Sequence, residues 1–308
     1  MSTLDPVPST DPKARLAEFW DRSRDYYTQA QAANVQESPE RAVLFSYLQP
    51  GWTVVDLGCG SCENALWMPA GVRYVGFDVS TSALAMAREL GRPVAARVRA
   101  DGEVLPFASG SVDAVISTWA FEHFHDPGKT FLEAARIVRP GGLLAVVGST
   151  WDLPWELPPS LDPQRKLEVA AKRLGRQIAS LVDGRHRFDR VVEPRVLTDG
   201  YVPDADAVHV TQSYLLARFL TAAGLTVVEH RALPHRADPR GARGLLPENT
   251  LPAFARALEL AAATTGAGGA VTLASVEAHA QGPGAAERAQ ARDDRRCRRF
   301  DDVRDVGG

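Results

Sequence analysis

Residues 53–60, which read TVVDLGCG, constrain the fold of this 308-residue chain more than any other stretch. Their apolar run predicts a strand that is buried on both faces of a sheet. Gly58 and Gly60 follow, and glycines allow the backbone to turn tightly and to approach a ligand closely. Asp56 stands near the carboxyl end of the strand, where open α/β sheets bind their ligands. The stretch therefore predicts a ligand site at the end of a central strand.

A second strand that ends in an acid, YVGFD at 74–78, follows about twenty residues later. Asp78 is placed to accept hydrogen bonds from the two hydroxyls of a ribose. A dinucleotide is not expected, because Glu63 replaces the third glycine and puts a carboxylate where a pyrophosphate would meet a helix N-terminus. A nucleoside without phosphate and with a positive centre tolerates acids here, and S-adenosylmethionine fits that description.

Five motifs in order resemble those of class I S-adenosylmethionine-dependent methyltransferases, in the group that includes the ubiquinone/menaquinone and natural-product enzymes. They are DLGCG at 56–60, the acid at 78, DGEVLPF at 101–107, EHFHDP at 122–127 and RPGG at 139–142. The resemblance is strong over residues 40–150 and loose over 200–280. It implies S-adenosyl-L-methionine as cofactor and S-adenosyl-L-homocysteine as product. One departure is Cys62, which replaces a third loop glycine and is expected to narrow the loop without abolishing binding.

The resemblance also implies which residues bind the cofactor. They are Asp56, Gly58, Cys59, Gly60, Asp78, Val79, Asp101, Gly102 and Ser117. Asp101, or the backbone beside it, would recognise the amino group of the adenine. The alternative for Asp101 is a loop aspartate that only stabilises a turn.

Alternating strands and helices predict an α/β fold with a doubly wound sheet, whose right-handed crossovers make the strands parallel. Strands are expected near 53–57, 74–78, 94–98, 113–117, 143–147, 225–229 and 270–278. The resemblance implies a Rossmann-like, mostly parallel seven-stranded sheet of order 3-2-1-4-5-7-6, with the last strand antiparallel. One N-terminal helix is expected after Asp11, and Ser80 and Asp126 are further N-cap candidates.

The expected organisation is one methyltransferase domain over residues 11–281, between a disordered N-terminus (1–10) and a disordered tail (282–308). Residues 149–200 interrupt the alternation of strands and helices and contain a helical segment, Lys166–Val182. An insertion at this point lies over the carboxyl edge of the sheet, so we expect a cap that influences substrate choice. The alternative is a surface excursion.

His123 and His125 follow the fourth strand and are the candidate catalytic bases, because the pKa of histidine lies near neutrality. The alternative for His123 is a structural histidine that packs near the cofactor, and His125 is expected to face solvent beside Asp126. A base is needed only if the methyl acceptor must lose a proton. Predicted substrate-site residues are Tyr26, Tyr27, Trp119, Trp151, Trp155 and His186.

Composition limits the partners. Zinc or redox use of Cys59 and Cys62 is not expected, because no second cysteine pair or histidine cluster follows, and we predict no metal. A net charge of −3 argues against nucleic acid or an anionic membrane. Three cysteines, with no signal peptide and no membrane-spanning run, predict a reduced, cytoplasmic protein. The oligomeric state stays open.

Three functions remain possible from the sequence. The favoured one is methylation of O, N or C on a small molecule, such as a secondary metabolite, a quinone-like ring or a sugar. The second is an RNA or protein methyltransferase. The third is a protein of this fold that binds the cofactor but catalyses a non-methylating biosynthetic step.

Overall fold

The computed structural model describes the central part of the chain and both edges of its sheet. The described residues are 11–34, 39–149, 154–155, 157, 163–183, 188–190, 207–210, 213–233 and 269–276. The segments expected to be disordered, 1–10 and 282–308, lie outside the described residues. So does Leu251–Ala263, for which the sequence pattern predicts a helix.

Within the described ranges, nine strands form a seven-stranded sheet and a short separate ribbon. They are β1 (Thr53–Leu57), β2 (Arg73–Asp78), β3 (Ala96–Arg99), β4 (Val112–Thr118), β5 (Val138–Ser149), β6 (Asp189–Arg190), β7 (His209–Val210), β8 (Leu225–Leu233) and β9 (Gly269–Val276). The main sheet has the order β3-β2-β1-β4-β5-β9-β8, with β9 antiparallel to both of its neighbours and the other ladders parallel. With the β6–β7 ribbon set aside, this confirms the predicted order 3-2-1-4-5-7-6.

Seven α-helices connect and cover the strands in the described ranges. They are α1 (Pro12–Arg22), α2 (Arg24–Asn34), α3 (Pro39–Phe45), α4 (Thr81–Glu89), α5 (Pro127–Ile137), α6 (Lys166–Asp183) and α7 (Ser213–Ala222). The predicted N-caps Asp11, Ser80 and Asp126 are confirmed, since each side chain accepts a hydrogen bond from a first-turn N–H. Within the described residues, no helix combines the length and apolarity that crossing a bilayer requires.

Successive residues of β1 face opposite sides of the sheet, and each side has its own hydrophobic cluster. Val55 and Leu57 pack in a cluster that contains residues of α5 and α7. Val54 packs in the other, together with Leu44 and Phe45 of α3. Each such buried side chain contributes about 1.5–3 kcal/mol. Packing on both faces fixes β1 firmly, and with it the polar residues at its carboxyl end.

The N-terminal helix is predicted as one and is observed as two. The helix is interrupted at Ser23. The Ser23 hydroxyl donates to the Phe19 carbonyl (2.6 Å), and its N–H donates to the Trp20 carbonyl (3.3 Å). These local bonds end α1 and compete with helix continuation. A new helix, α2, therefore starts at Arg24.

Strand β5 also differs from its prediction, because it starts at Val138 directly after α5. Val138 pairs with Val112, an irregular step follows, and regular pairing resumes at Leu143 with Ala114. The Pro-Gly-Gly sequence before Leu143 indicates a turn locally, whereas the added pairing depends on a distant strand. The two-residue strands β6 and β7 were not predicted, because such short strands carry no periodic signal.

Candidate functional site

Parallel pairing brings the carboxyl ends of β1, β2, β3 and β4 to one edge of the sheet. Asp56 of β1 pairs with Gly76 of β2 on one side and with Ile116 of β4 on the other. The segments that follow these strands therefore lie side by side. This edge contains most of the predicted cofactor residues.

The loop after β1 follows a path that requires glycine. Gly58 has a φ of +70°, and its N–H donates to the Phe77 carbonyl (2.8 Å). A Cβ built on Gly58 would lie 2.5 Å from the Cβ of Ala120, so the loop touches the segment after β4. Gly60 has a φ of +52°, and its N–H donates to Asp78 Oδ2 (2.8 Å). The two glycines thus link the ends of three strands.

Cys62 takes the left-handed conformation that a glycine would take, with a φ of +56°. Its Sγ lies 3.5 Å from that of Cys59 and points to β2, where a Cβ on Gly76 would lie 2.5 Å away. Burial raises the pKa of the Cys59 thiol well above its usual value, which keeps it protonated. The described residues contain no group of three or more potential metal ligands.

Asp78 closes the loop at the end of β2. Its Oδ2 accepts the Gly60 N–H, and its Oδ1 accepts the Ser80 N–H (2.8 Å). Burial raises the pKa of this carboxyl above its ordinary value. Each carboxylate oxygen has a second lone pair, so both can still accept a ligand hydroxyl. Binding of ribose by Asp78 stays a prediction.

Asp56 is fully buried and is held through one oxygen. Its Oδ2 accepts hydrogen bonds from the Tyr74 hydroxyl (2.6 Å) and from Asn64 Nδ2 (2.8 Å). Asn64 Nδ2 also donates to Thr118 Oγ1 (2.7 Å). Burial raises the pKa of Asp56 to about 6, even though the two hydrogen bonds lower it.

Three buried polar atoms at this edge have no hydrogen-bond partner within the described part of the chain. They are Asp56 Oδ1, Asn64 Oδ1 and Ser117 Oγ. A buried polar group without a partner costs about 1–3 kcal/mol. Ser117 lies on the opposite face of the sheet, because Asp56 pairs with Ile116 and side chains alternate along β4. Asp56 Oδ1 and Asn64 Oδ1 are acceptors only. The site therefore fits a ligand group that carries several N–H donors and positive charge, such as the ammonium of S-adenosylmethionine.

Asp101 follows β3 and already has two partners. Its Oδ1 accepts the Glu103 N–H (2.9 Å), and its Oδ2 forms an ion pair with Lys13 of α1. Glu103 contacts Lys13 through Oε2 (2.8 Å) and His125 Nδ1 through Oε1 (3.1 Å). These contacts join α1 to the segments after β3 and β4. His125, which was expected to face solvent beside Asp126, keeps 31% of its side chain exposed and contacts Glu103.

The other predicted cofactor residues lie on the same segments. Val79 is partly buried beside the cluster around Trp20. Gly102 lies against α5, where an added Cβ would be 2.9 Å from Thr130 Cγ2.

His123 belongs to an aromatic cluster formed by α1 and α2. Trp20 is 5% exposed, and the centroid of its ring lies 5.0 Å from that of the His123 ring in an edge-to-face arrangement. The Tyr26 and Tyr27 rings lie 5.4 and 6.3 Å from the same indole. This packing is what the structural alternative for His123 describes, and a role as base stays a prediction.

Trp119 directly follows β4 and has a φ of +53°, which is unusual for a bulky residue. Its N–H donates to the Val147 carbonyl (2.7 Å), and its ring packs partly against the cluster around Val54. Such a conformation costs of order 1–3 kcal/mol and occurs most often at functional sites. The contact of Trp119 with substrate stays a prediction.

The described residues include only part of the expected cap. Trp151 and His186 lie outside the described residues, and Trp155 is 62% exposed. On the chain's return from this insertion, the Val208 N–H donates to the Glu122 carbonyl (2.9 Å), and Val208 packs with Leu16, Trp20 and Tyr27. That return segment therefore lies with α1 and α2 beside the site.

Sequence reasoning missed Tyr74, Asn64, Lys13 and Glu103. The sequence does contain a signal for Tyr74. Alternate side chains of a strand lie on the same face of the sheet, so Tyr74 shares a face with residues 76 and 78. Glycine at position 76 leaves that face open toward β1. Lys13 and Glu103 gave no signal, because their contacts join distant segments.

Part of the chain is similar in sequence to known methyltransferases. A sequence profile of the methyltransferase domain family matches residues 55–146. An uncharacterized methyltransferase of Mycobacterium sp. (strain JLS) is 37% identical over 107 residues, which are 33% of this chain and 40% of that protein. The chain thus matches less than half the length of this relative.

Residues 55–146 thus resemble a methyltransferase domain, and the strand order is the one expected for class I S-adenosylmethionine-dependent methyltransferases.

Two solved structures share the fold of this domain at 16% identity and a TM-score of 0.52. One is the [4+2]-cyclase SpnF, with 89% of this chain and 99% of that chain covered. The other is Haemonchus contortus phosphoethanolamine N-methyltransferase 2 in complex with S-adenosyl-L-methionine, with 88% and 61% covered. Asp56, Asp78 and Asp101 fall inside the matched segment of the methyltransferase domain, whereas α1, α2 and α6 fall outside it.

Proposed function

We propose that this protein transfers a methyl group from S-adenosylmethionine to a small, partly apolar acceptor. The observation that carries the proposal is the pair of unpartnered buried acceptor atoms, Asp56 Oδ1 and Asn64 Oδ1, at the carboxyl edge of the sheet. They need donors, and the acids around them favour a cation. The ammonium of S-adenosylmethionine supplies both.

In this proposal Asp78 binds the ribose hydroxyls and the segment at Asp101 binds the adenine. The Gly58–Gly60 loop lets the backbone approach the methionine part of the cofactor. Tyr27 supports that loop, because its ring lies 3.7 Å from the position of a Cβ on Gly60. When bound, S-adenosylmethionine supplies a methyl group already activated by its positive sulfur.

The protein's main task is then to orient the acceptor. Correct orientation alone supplies about 7–11 kcal/mol in favourable cases. We infer that Trp119, Tyr26 and Tyr27, with Trp151, Trp155 and His186 of the cap, shape the acceptor pocket. Their aromatic rings suit a quinone-like ring, a secondary metabolite or a sugar with an apolar face.

A base is required only for an acceptor that must lose a proton, and it would add about 10²–10⁴-fold. His123 and His125 are the candidates. The packing of His123 against Trp20 suits a supporting role, whereas the contact between His125 and Glu103 fixes the orientation of its ring. We propose that His125 accepts the proton of such an acceptor.

The domain boundaries at 11–281, the cap over 149–200 and a cytoplasmic location belong to the same proposal. A second function, a non-methylating reaction, is included because SpnF, a [4+2]-cyclase, shares the fold. Product analysis separates the two.

The test uses the full chain with S-adenosylmethionine and a panel of phenols, quinones and amino sugars. S-adenosylhomocysteine and a product heavier by one methyl group are the expected result. Cofactor binding with an altered, unmethylated product would overturn methyl transfer in favour of the second function. Methylation of tRNA or of protein, but of no small molecule, would overturn the acceptor class.

A further inference from the structure

Two buried side chains from different elements converge on one oxygen of Asp56. Tyr74 of β2 and Asn64 of the short helical turn Glu63–Leu66 both donate to Oδ2, at 2.6 and 2.8 Å. We propose that Tyr74 and Asn64 are positioning residues, which hold Asp56 by Oδ2 so that Oδ1 can accept from the ammonium group of S-adenosylmethionine. This inference rests on the proposed function.

The fold explains how Tyr74 reaches Asp56. Gly76 pairs directly with Asp56 across the sheet and has no side chain to separate the two residues. The Tyr74 ring passes over this gap, since its Cε1 lies 3.5 Å from the position of a Cβ on Gly76. Tyr74 itself is only 2% exposed, so packing holds its hydroxyl in place.

Asn64 fixes the carboxylate from the other side. Its two Nδ2 hydrogens are used by Asp56 Oδ2 and by Thr118 Oγ1 (2.7 Å). Asn64 therefore ties the cofactor loop to β1 and β4 at the same time. Its remaining polar atom, Oδ1, is an acceptor without a partner in the described ranges, as is Asp56 Oδ1. Asp56 Oδ1 is therefore left to accept from a donor-rich ligand group.

The charges around Asp56 predict a dependence on pH. Burial raises its pKa to about 6, hydrogen bonds from Tyr74 and Asn64 lower it, the charge of Arg41 lowers it, and that of Asp78 raises it. Burial also raises the pKa values of the nearby Tyr74 and Cys59 well above their usual ranges, so both stay neutral. Cys62, the other thiol at this point, is buried beside Cys59.

Only the ionised carboxylate attracts an ammonium group, so cofactor affinity should fall as the pH drops through about 6. Removing the Tyr74 hydroxyl removes a bond that favours the ionised form. The pKa of Asp56 should then rise, and affinity should be lost at a higher pH.

The test measures the dissociation constant of S-adenosylmethionine from about pH 5 to about pH 7.5 for the wild type and Tyr74→Phe. We expect the midpoint of the loss of affinity to rise by about one pH unit in the variant. Binding should be about tenfold weaker at about pH 5.5 and within about twofold of wild type at about pH 7.5. A merely structural defect would weaken binding equally at every pH and would overturn the inference.

Tyr47→Phe is the matched control. It also removes a tyrosine–carboxylate hydrogen bond, to Glu229 of β8, far from Asp56 in the sheet order. Its midpoint should equal that of the wild type, and an equal shift in both variants would contradict the inference.

A measurement without cofactor separates this inference from the proposed function. Carbon NMR of the aspartate carboxyls follows the titration of Asp56 in the free protein, with Asp56→Asn to assign the signal. Tyr74→Phe should raise that titration midpoint even if S-adenosylmethionine does not bind. A wild type that binds no cofactor at any pH overturns the proposed function and the ammonium contact, and an unshifted NMR midpoint overturns the positioning role of Tyr74.

Discussion

The carboxyl ends of β1 and β3 each present an acid to the same edge of the sheet, and the two acids are held in opposite ways. Asp56 is fully buried, and its hydrogen-bond donors, Tyr74 and Asn64, are neutral. The Asp101 side chain is 40% exposed and pairs with the cationic Lys13. Burial raises the pKa of Asp56 to about 6, because its charge is only partly compensated. The ion pair with Lys13 already offsets the negative charge of Asp101.

This difference predicts which of the two acidic regions contributes more to the affinity for the cofactor. A cation at the buried end of β1 and β2 relieves an unsatisfied carboxylate, which makes that interaction strong. At the end of β3, a ligand meets an acid that solvent and Lys13 already stabilise. We therefore expect the first region to supply affinity, and the second to hold α1 against the site.

The largest expected effect tests that division by comparing two alanine variants. Asp78→Ala removes the two hydrogen bonds that we propose to the ribose, each worth about 1.5–3 kcal/mol, and should weaken S-adenosylmethionine binding about 10²–10⁴-fold. Asp101→Ala should weaken it only about 3–10-fold. Calorimetric titration of both variants measures the two effects. Equal losses would contradict the proposed division.

A second prediction concerns the loop that joins the ends of β1, β2 and β4. Gly58→Ala places a Cβ 2.5 Å from that of Ala120 at a φ of +70°, so it should destabilise the fold by about 2–5 kcal/mol. Gly51→Ala is the matched control, because it has a φ of +86° but no neighbour within 4 Å. It should cost only about 1–2 kcal/mol. Urea unfolding measures both, and equal costs would refute the close approach at Gly58.

A third prediction follows from the raised pKa of Asp56. The folded-state pKa of about 6 lies above the ordinary value of 3.8, so the folded protein binds this proton more tightly than the unfolded chain. The group's favourable contribution is present below about pH 4 and is lost as the pH rises through about 6. The loss amounts to about 3 kcal/mol, since each pKa unit corresponds to about 1.4 kcal/mol.

Asp56→Asn removes this titration while keeping the shape of the side chain. The variant should be about 3 kcal/mol more stable than wild type at about pH 8 and nearly equal to it at about pH 4. It should also bind S-adenosylmethionine more weakly. Chemical unfolding at the two pH values gives the stability difference, and a constant difference between them would show that Asp56 does not titrate as described.

The smallest expected effect concerns Lys13, which pairs with the partly exposed acid after β3. Lys13→Ala removes partly exposed ion pairs with Asp101 and Glu103, each worth about 0.2–1 kcal/mol. Stability should change by no more than about 2 kcal/mol, and the difference from wild type should shrink in high salt. Thermal unfolding in low and high salt measures the effect. A loss as large as that at Gly58, or one independent of salt, would contradict the contrast between the two ends.

The sequence predicted the sheet and its acidic edge well because both depend on local signals and on the geometry of parallel strands. The apolar run before Asp56 and the acid at Asp78 each end a strand, and parallel strands bring such ends together. The strand order came from the resemblance of five motifs. The break at Ser23 escaped prediction, because it depends on side-chain bonds that compete with a regular helical pattern.

The supporting contacts of the site could not be predicted, because they join residues far apart in the chain. Tyr74 contacts Asp56 only because Gly76 leaves room between them. His125 contacts Glu103 only because the segments after β3 and β4 meet at the same edge. Such contacts follow from tertiary packing, and residue spacing carries no signal for them.

The most direct test of the central claim is a calorimetric titration of the wild-type chain with S-adenosylmethionine, S-adenosylhomocysteine and NAD. We predict micromolar binding of the first two and none of the third, because Glu63 stands where a pyrophosphate would need a glycine turn. Binding of NAD, or no binding of either S-adenosyl compound, would contradict the assignment of the acidic edge as the cofactor site.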